Sequence, residues 1–326
     1  MDLTSKNNLM HVGILLVLAL ILGFLLIHFH IVSCGAVHPA VCDVYYNLVQ
    51  GGKPSILIVH GNEGIGDPEF FYETLNSPRI RGNTAIKTLD VVSLPILMEY
   101  NLVIVEKAKR MSTEEVKMFQ DFVARGGRLV WIADAGTLPA KTESDQNYFL
   151  QMKHRDGTNN EEFIGPWARR EGNRQVSLDI MLGVNYRGNY CELLECRSED
   201  WIGTLDIMDQ EKRLVDGIGQ NIKIYGDFSL VKLNSESYQT NLAFLNFGTD
   251  LIADKPEGYF WLKDERTNFG DEFPAIVATG VGERVVYYAF PPEYFVSEKM
   301  PIDEETGNRI VYWGLIENLY YGMLYK

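Results

Sequence analysis

Three short apolar runs, each closed by a polar turn, constrain this chain more than anything else in it. They are Ser55-Ile-Leu-Ile-Val-His60, Asn101-Leu-Val-Ile-Val-Glu106 and Arg128-Leu-Val-Trp-Ile-Ala-Asp134. Runs that are continuously apolar and β-branched, rather than alternating, suit parallel strands buried on both faces. Between the second and third runs lies a helix with complete punctuation. Ser112-Thr-Glu-Glu115 is a capping box, in which each side chain satisfies a backbone donor at the helix start. Val116, Phe119, Phe122 and Val123 fall on one face at helical spacing, and Arg125-Gly-Gly127 supplies the stop. A further strand is expected over Thr84–Leu94, with Pro95 punctuating it. This alternation predicts an α/β fold with a mainly parallel sheet covered by helices on both faces.

The amino terminus addresses the chain to a membrane. From Val12 to Val32 there are 21 residues without Lys, Arg, Asp or Glu, interrupted only by His28 and His30. A helix of that length spans a hydrocarbon core of roughly 30 Å. It exceeds the apolar core of a signal peptide, so the expectation is an uncleaved signal anchor over 12–32. Lys6 lies before the run, and no Lys or Arg follows it until Lys53. That bias puts residues 1–11 in the cytoplasm and the body outside, on a single-pass anchor. A second reading competes. Ile31-Val-Ser-Cys-Gly35 resembles a lipoprotein cleavage box, which would lipidate Cys34 and remove the preceding segment. Both routes tether the body to the outer face, and the length of the run favours the anchor.

The formal charge is −14, and residues 1–33 contribute one Asp and one Lys, so the excess lies in the body. An acidic body repels phosphate backbones, which argues against nucleic acid and against docking on anionic lipid. Cys34, Cys42, Cys191 and Cys196 all follow the apolar run. In an oxidising compartment they are disulfide candidates, in any of three pairings. Zinc is disfavoured, because no CxxC spacing exists and His38 is the only histidine near either pair. Lipidation of Cys34 would leave Cys42 unpaired.

The rest of the chain divides around the three runs. Residues 33–53 read as a juxtamembrane stalk, with a short helix from Asp43 and a boundary at Gly51-Gly-Lys-Pro54. After His60, Gly61-Asn-Glu-Gly-Ile-Gly-Asp67 opens a helix around Pro68–Leu75. Its glycines invite a phosphate-loop reading, but GK[ST] and GxGxxG are both missing, and a tight strand-to-helix turn explains them better. Residues 138–225 break the rhythm and read as an elaboration on the sheet. Its aromatics Trp167, Tyr186, Tyr190 and Trp201 would stack on a sugar or a partner if exposed, and form the lobe's core if buried, which is the favoured reading. Strands are then expected at Phe228–Lys232, Leu242–Phe247, Gly258–Leu262, Ala275–Thr279 and Arg284–Phe290, with hairpin turns at 255–258 and 280–283. Asn308–Leu324 is too short and polar for a second span and reads as a final helix.

The order of these pieces resembles the class I glutamine amidotransferase-like superfamily, and within it the membrane-associated and trehalose-utilisation-like branches. The resemblance rests on SILIVHG at 55–61, the segment 100–137, LGVNY at 182–186, RLVDGI at 213–218, GERVVYYAFPPE at 282–293 and the terminal helix. It covers about 54–326 and is carried by fold-level motifs. It implies a flavodoxin-like, three-layer sandwich with any site at the carboxyl ends of the strands. Glutaminases of that superfamily carry a cysteine on the elbow after the central strand, with a His and Glu late in the chain. The matching elbow here is Asp134-Ala-Gly-Thr137, and the last histidine is His154. Without a Cys–His pair to keep a sulfur as thiolate, amidotransferase chemistry is excluded at these positions.

His60, Glu63, Asp67, Glu106, Lys107, Asp134 and Thr137 all follow expected strands, so they are candidates for one ligand crevice. A His with two carboxylates suits a metal or a general base, although polar residues also end strands wherever a chain meets water. No catalytic residue, metal or cofactor is assigned. The expected function is a catalytically inactive, membrane-tethered binding or scaffolding module beside a transport or envelope complex of a bacterium or archaeon. The alternatives are an extracytoplasmic hydrolase of envelope carbohydrate or peptide using strand-end carboxylates, and a structural envelope component.

Overall fold

The computed structural model describes residues 3–28, 52–140, 166–171, 174–194, 196, 202–208, 210–259, 261–262, 264–303 and 306–324. The chain forms two compact units, Met1–Lys53 with Asn76–Asn83, and Pro54–Leu75 with Thr84–Lys326. In the first, helix α1 covers Leu3–His28, with Val12, Leu15, Leu16, Val17, Leu18 and Leu20 all exposed. Among the described residues no helix is long and apolar enough to cross a membrane. The 21-residue apolar run extends past those residues. Of Val12–Val32, side chains are described only for 12–26 and 28, and 29–32 lie outside the described residues, as do Cys34, Cys42 and the stalk helix from Asp43.

In chain order the strands are β1 Ser55–Glu63, β2 Asn83–Thr88, β3 Leu102–Ala108, β4 Arg110–Met111, β5 Leu129–Ile132, β6 Leu138–Pro139, β7 Ala168–Glu171 and β8 Arg174–Ser177. They continue as β9 Val184–Asn189, β10 Gly203–Ile207, β11 Ile222–Ile224, β12 Ser229–Leu233, β13 Gln239–Asp254, β14 Arg266–Thr279 and β15 Val285–Tyr288. Nine of them make one sheet, in the order β11-β10-β13-β14-β15-β5-β3-β1-β2. The three runs that open the sequence are β1, β3 and β5, and they pair parallel to one another with β15 on the far side of β5. Ile56–Val59, Leu102–Glu106 and Leu129–Ile132 are wholly buried, as their lack of alternation requires.

The expectation of a mainly parallel sheet holds for this half only. From β15 outward, β14, β13, β10 and β11 are joined antiparallel, so the α/β sheet is mixed. The reason is local. Gly280–Glu283 closes a hairpin between β14 and β15, with the Glu283 N–H donating to the Gly280 carbonyl at 3.0 Å. The elaboration then supplies β10 and β11 to the sheet edge, while β9 pairs with β12 in a separate ladder.

Local departures also have physical causes. The strand expected over Thr84–Leu94 stops at Thr88 and gives way to a 3₁₀ turn at Leu89–Val91. Pro95 sits at the start of the short helix α3 (Leu94–Leu97), where its missing N–H leaves no helical bond unmade. Among the described residues of the strand expected over Gly258–Leu262, 258, 259, 261 and 262 are not in a strand, because the Lys255 N–H donates to the Glu265 carbonyl and closes the end of the long β13–β14 hairpin. Between β1 and β2, helix α2 spans Pro68–Asn76. The capping box forms as read. The Glu115 N–H donates to Ser112 Oγ at 3.2 Å, and the Ser112 N–H donates to Glu115 Oε2 at 2.7 Å, starting helix α4 (Thr113–Ala124). Phe119 packs edge-on against Trp131 at 5.4 Å, tying the helix to the sheet. Two short helices, α5 (Leu178–Leu182) and α6 (Tyr190–Leu193), belong to the elaboration, and α7 (Trp313–Leu324) closes the chain.

Candidate functional site

The carboxyl ends of β1, β3, β5 and β15 face one loop cluster because these four strands run parallel. The turn after β5 holds one of the constrained backbone positions. Ala133 adopts φ +49°, a left-handed conformation that a non-glycine residue takes only where its surroundings hold it. Its N–H donates to the Tyr288 carbonyl at 2.7 Å, and the Tyr287 hydroxyl donates to its carbonyl at 3.2 Å. Trp131 and Trp167 both donate their indole N–H to the Ala135 carbonyl. Thr137 donates its hydroxyl to the Asp134 carbonyl at 2.8 Å. The bend therefore presents a methyl group at Ala133, one residue before the expected elbow, and no nucleophile.

Asp134 is fully buried and fully engaged. Its Oδ1 accepts from the Ile65 N–H at 2.9 Å, and its Oδ2 accepts from Asn189 Nδ2 at 2.7 Å and lies 3.4 Å from Lys109 Nζ. Lys109 also pairs with Glu192, which in turn accepts from the Tyr259 hydroxyl. Burial alone would lower the Lys109 ammonium, but Asp134 and Glu192 outweigh it and hold the group above the ordinary lysine value. Burial pushes the Tyr259 and Tyr186 phenols up, and neighbouring carboxylates add to it. Asn189 links the parts, accepting from the Tyr186 hydroxyl at 2.9 Å and from Ser229 Oγ at 3.0 Å.

Beside this network is a cleft of about 310 Å³, lined by Lys109, Thr137, Tyr186, Glu192, Tyr259 and Trp261 among others. Tyr259 and Trp261 stand 4.7 Å apart, ring to ring, and Trp261 reaches Tyr186 at 5.9 Å. Aromatic walls with a few convergent polar groups are the usual make-up of a ligand site. Glu192 lies beside Cys191, which is bonded to Cys196. Of the other sequence-derived aromatics, Trp167 is buried, Tyr190 stacks half-buried on Phe228 and Phe247, and Trp201 lies outside the described residues.

The expected crevice does not assemble as one group. Glu106 and Asp67 meet, since Glu106 Oε1 accepts from the Asp67 N–H at 2.9 Å. Asp67 Oδ1 accepts from the Phe70 N–H and caps α2. Asp134 and Thr137 share a turn. His60 instead turns Nδ1 to the Gly61 carbonyl at 2.9 Å, and exposed Glu63 lies 3.4 Å from Arg110. Among the described residues no set of three His, Cys, Asp or Glu side chains is placed to hold a metal. The glycine loop has a role of its own. A Cβ on Gly66 would fall 2.0 Å from Glu106 Oε1, and one on Gly64 would fall 2.9 Å from Asp134 Oδ1. Glycine there lets the backbone close over two buried carboxylates.

Sequence reasoning missed Lys109, Asn189, Glu192, Tyr259 and Glu293. Glu293 was within its reach, because it follows the Arg284–Phe290 run as Glu106 and Asp134 follow theirs. Lys109 directly follows β3, Asn189 and Glu192 come from the elaboration, and Tyr259 comes from the β13–β14 turn, where no local pattern marks them.

No family model matches the chain, and no curated protein does. Among solved structures, a ThuA-like protein from Bacteroides uniformis is 16% identical, with 76% of this chain and 87% of that one covered at a TM-score of 0.43. PurLQS from Thermotoga maritima is 14% identical, with 83% and 98% covered at 0.42. A β-galactosidase from Rahnella is 13% identical, with 77% of this chain and 31% of that one covered at 0.43. Likenesses of this size carry no argument about what this chain binds or does.

Proposed function

We propose that the protein is a membrane-tethered binding module whose flavodoxin-like, amidotransferase-like body performs no amidotransferase chemistry and serves a transport or envelope complex. One observation carries this reading: the charged groups around the bend after β5 are committed to one another. Asp134 is held by Ile65, Asn189 and Lys109, Lys109 by Asp134 and Glu192, and the bend after β5 offers only Ala133. A group poised for general acid–base or nucleophilic work is not bound on all sides in this way. The neighbouring aromatic cleft is built to hold something. The tether is supported by α1, which exposes apolar side chains around its whole circumference and so favours apolar surroundings.

The hydrolase alternative is favoured by one feature, the aromatic cleft wall beside exposed Glu192, which suits a hydroxylated ligand. The full-length chain in mild detergent separates the two. Ammonia release from glutamine, and release of reducing sugar or amine from envelope carbohydrate and peptide, should stay at background. Turnover abolished by Glu192→Gln would replace the binding reading with the enzymatic one.

A further inference from the structure

Away from the cleft, the glycine loop is fastened by a second pair of side chains. Glu106, in β3, and Glu293, in the 3₁₀ turn Pro292–Val296, are both completely buried. Both accept from the same donor, the Asp67 N–H, at 2.9 Å to Glu106 Oε1 and 3.0 Å to Glu293 Oε1. Their second oxygens have no hydrogen-bond donor among the described residues, and neither carboxyl has a cation within ion-pair reach there. Two adjacent buried carboxylates served by one N–H cannot both hold a charge, since desolvation and mutual repulsion act in the same direction.

We propose that Glu106 and Glu293 share a single proton, and that this proton latches the loop 63–67 over the strand ends, its release to solvent above neutral pH opening the loop. The groups around the pair support this and offer no substitute cation. Asp67 adds negative charge from the loop. Tyr294, beside Glu293, and Asp227 beyond it are neutral or acidic. His60 is the register partner of Glu106 on β1, but its Nδ1 is taken by the Gly61 carbonyl. Burial, then the neighbouring carboxylate, pushes Glu106 well above the ordinary value, and burial carries Glu293 to about 7. The loop's other fastenings are the Ile65 N–H to Asp134 Oδ1 at 2.9 Å and, at its first residue, the Lys109 N–H to the Glu63 carbonyl at 2.8 Å with Arg110 3.4 Å from the Glu63 carboxylate, while Gly64 packs on Asp134 and Lys109. An opened loop therefore uncovers the Lys109 wall of the cleft. The latch holds whether or not the cleft binds a ligand.

Hydrogen–deuterium exchange on the full-length chain in detergent tests it, read on peptides covering 61–70 from pH 5.5 to 8.5 and corrected for the intrinsic rate. The wild type should lose protection about tenfold per pH unit above 7, while peptides of α4 keep theirs. Glu293→Gln, whose amide can donate to Glu106 without a shared proton, should remove that dependence. A flat wild-type profile, or an equal loss in α4, overturns the latch, and the wild-type profile decides even where the variant fails to fold.

Discussion

Replacing Lys109 with methionine tests the claim that the strand-end charges hold one another. The substitution keeps most of the side-chain volume and removes the ammonium from a carboxylate that is itself wholly buried. At 3.4 Å between Lys109 Nζ and Asp134 Oδ2, an effective dielectric of about 20 gives an attraction of about 5 kcal/mol. Two things reduce it. The lysine side chain is 12% exposed, and Asp134 keeps its bonds from Ile65 and Asn189. A loss of about 3 kcal/mol in unfolding free energy follows, near the lower end for breaking a buried pair from one side. The sign with pH is defined. Lys109 is raised in the folded state, so its contribution is complete at neutral pH and is lost only as pH rises through and beyond the ordinary lysine range. Denaturant melts followed by tryptophan fluorescence measure this at pH 7. Lys109→Met with Asp134→Asn should recover part of the loss, because no buried charge is then left unpaired although the new carboxamide NH2 faces the Ile65 or the Asn189 donor. A single-variant loss below about 1 kcal/mol, or no recovery in the double variant, refutes the reasoning.

Three further outcomes follow from the same geometry. Gly66→Ala forces a methyl group against Glu106 at a φ of +128° and should cost about 2–4 kcal/mol, read as a shift in melting midpoint. Glu293, raised from 4.5 to about 7, supplies about 3 kcal/mol that is fully present below pH 4.5 and lost as pH rises through 7. The stability gap between wild type and Glu293→Gln, measured by melts at pH 5 and pH 8, should therefore swing toward the variant at pH 8. Phe119→Ala removes a fully buried ring packed on Trp131 and should cost about 3–5 kcal/mol in the same melts.

Much of the parallel half was legible because buried strands and capped helices are written locally. The β1, β3 and β5 runs and the Ser112–Glu115 box each lie within a few consecutive residues. The antiparallel half was less legible, since its strands were seen but their direction depends on which hairpins close. The strand expected at Gly258–Leu262, whose described residues 258, 259, 261 and 262 are not in a strand, shows the limit: a short aromatic run reads alike in either state. Of the candidate crevice residues, Glu106, Asp134 and Thr137 were singled out because polar residues that end apolar strands stand out, and of these Thr137 lines the cleft. His60 stood out equally and is held by its neighbour's carbonyl. Lys109, Glu192 and Tyr259 meet only in three dimensions, from segments up to about 150 residues apart.

On the proposed reading, this body binds a partner at the membrane instead of turning over a substrate. Crosslinking in intact native membranes, with purification through a C-terminal tag and mass spectrometry, tests it most directly. A reproducible membrane partner should crosslink near the cleft or within 138–225, and be lost when Trp261 and Tyr259 are replaced by alanine. Recovery of this chain alone, with no partner above background, contradicts it.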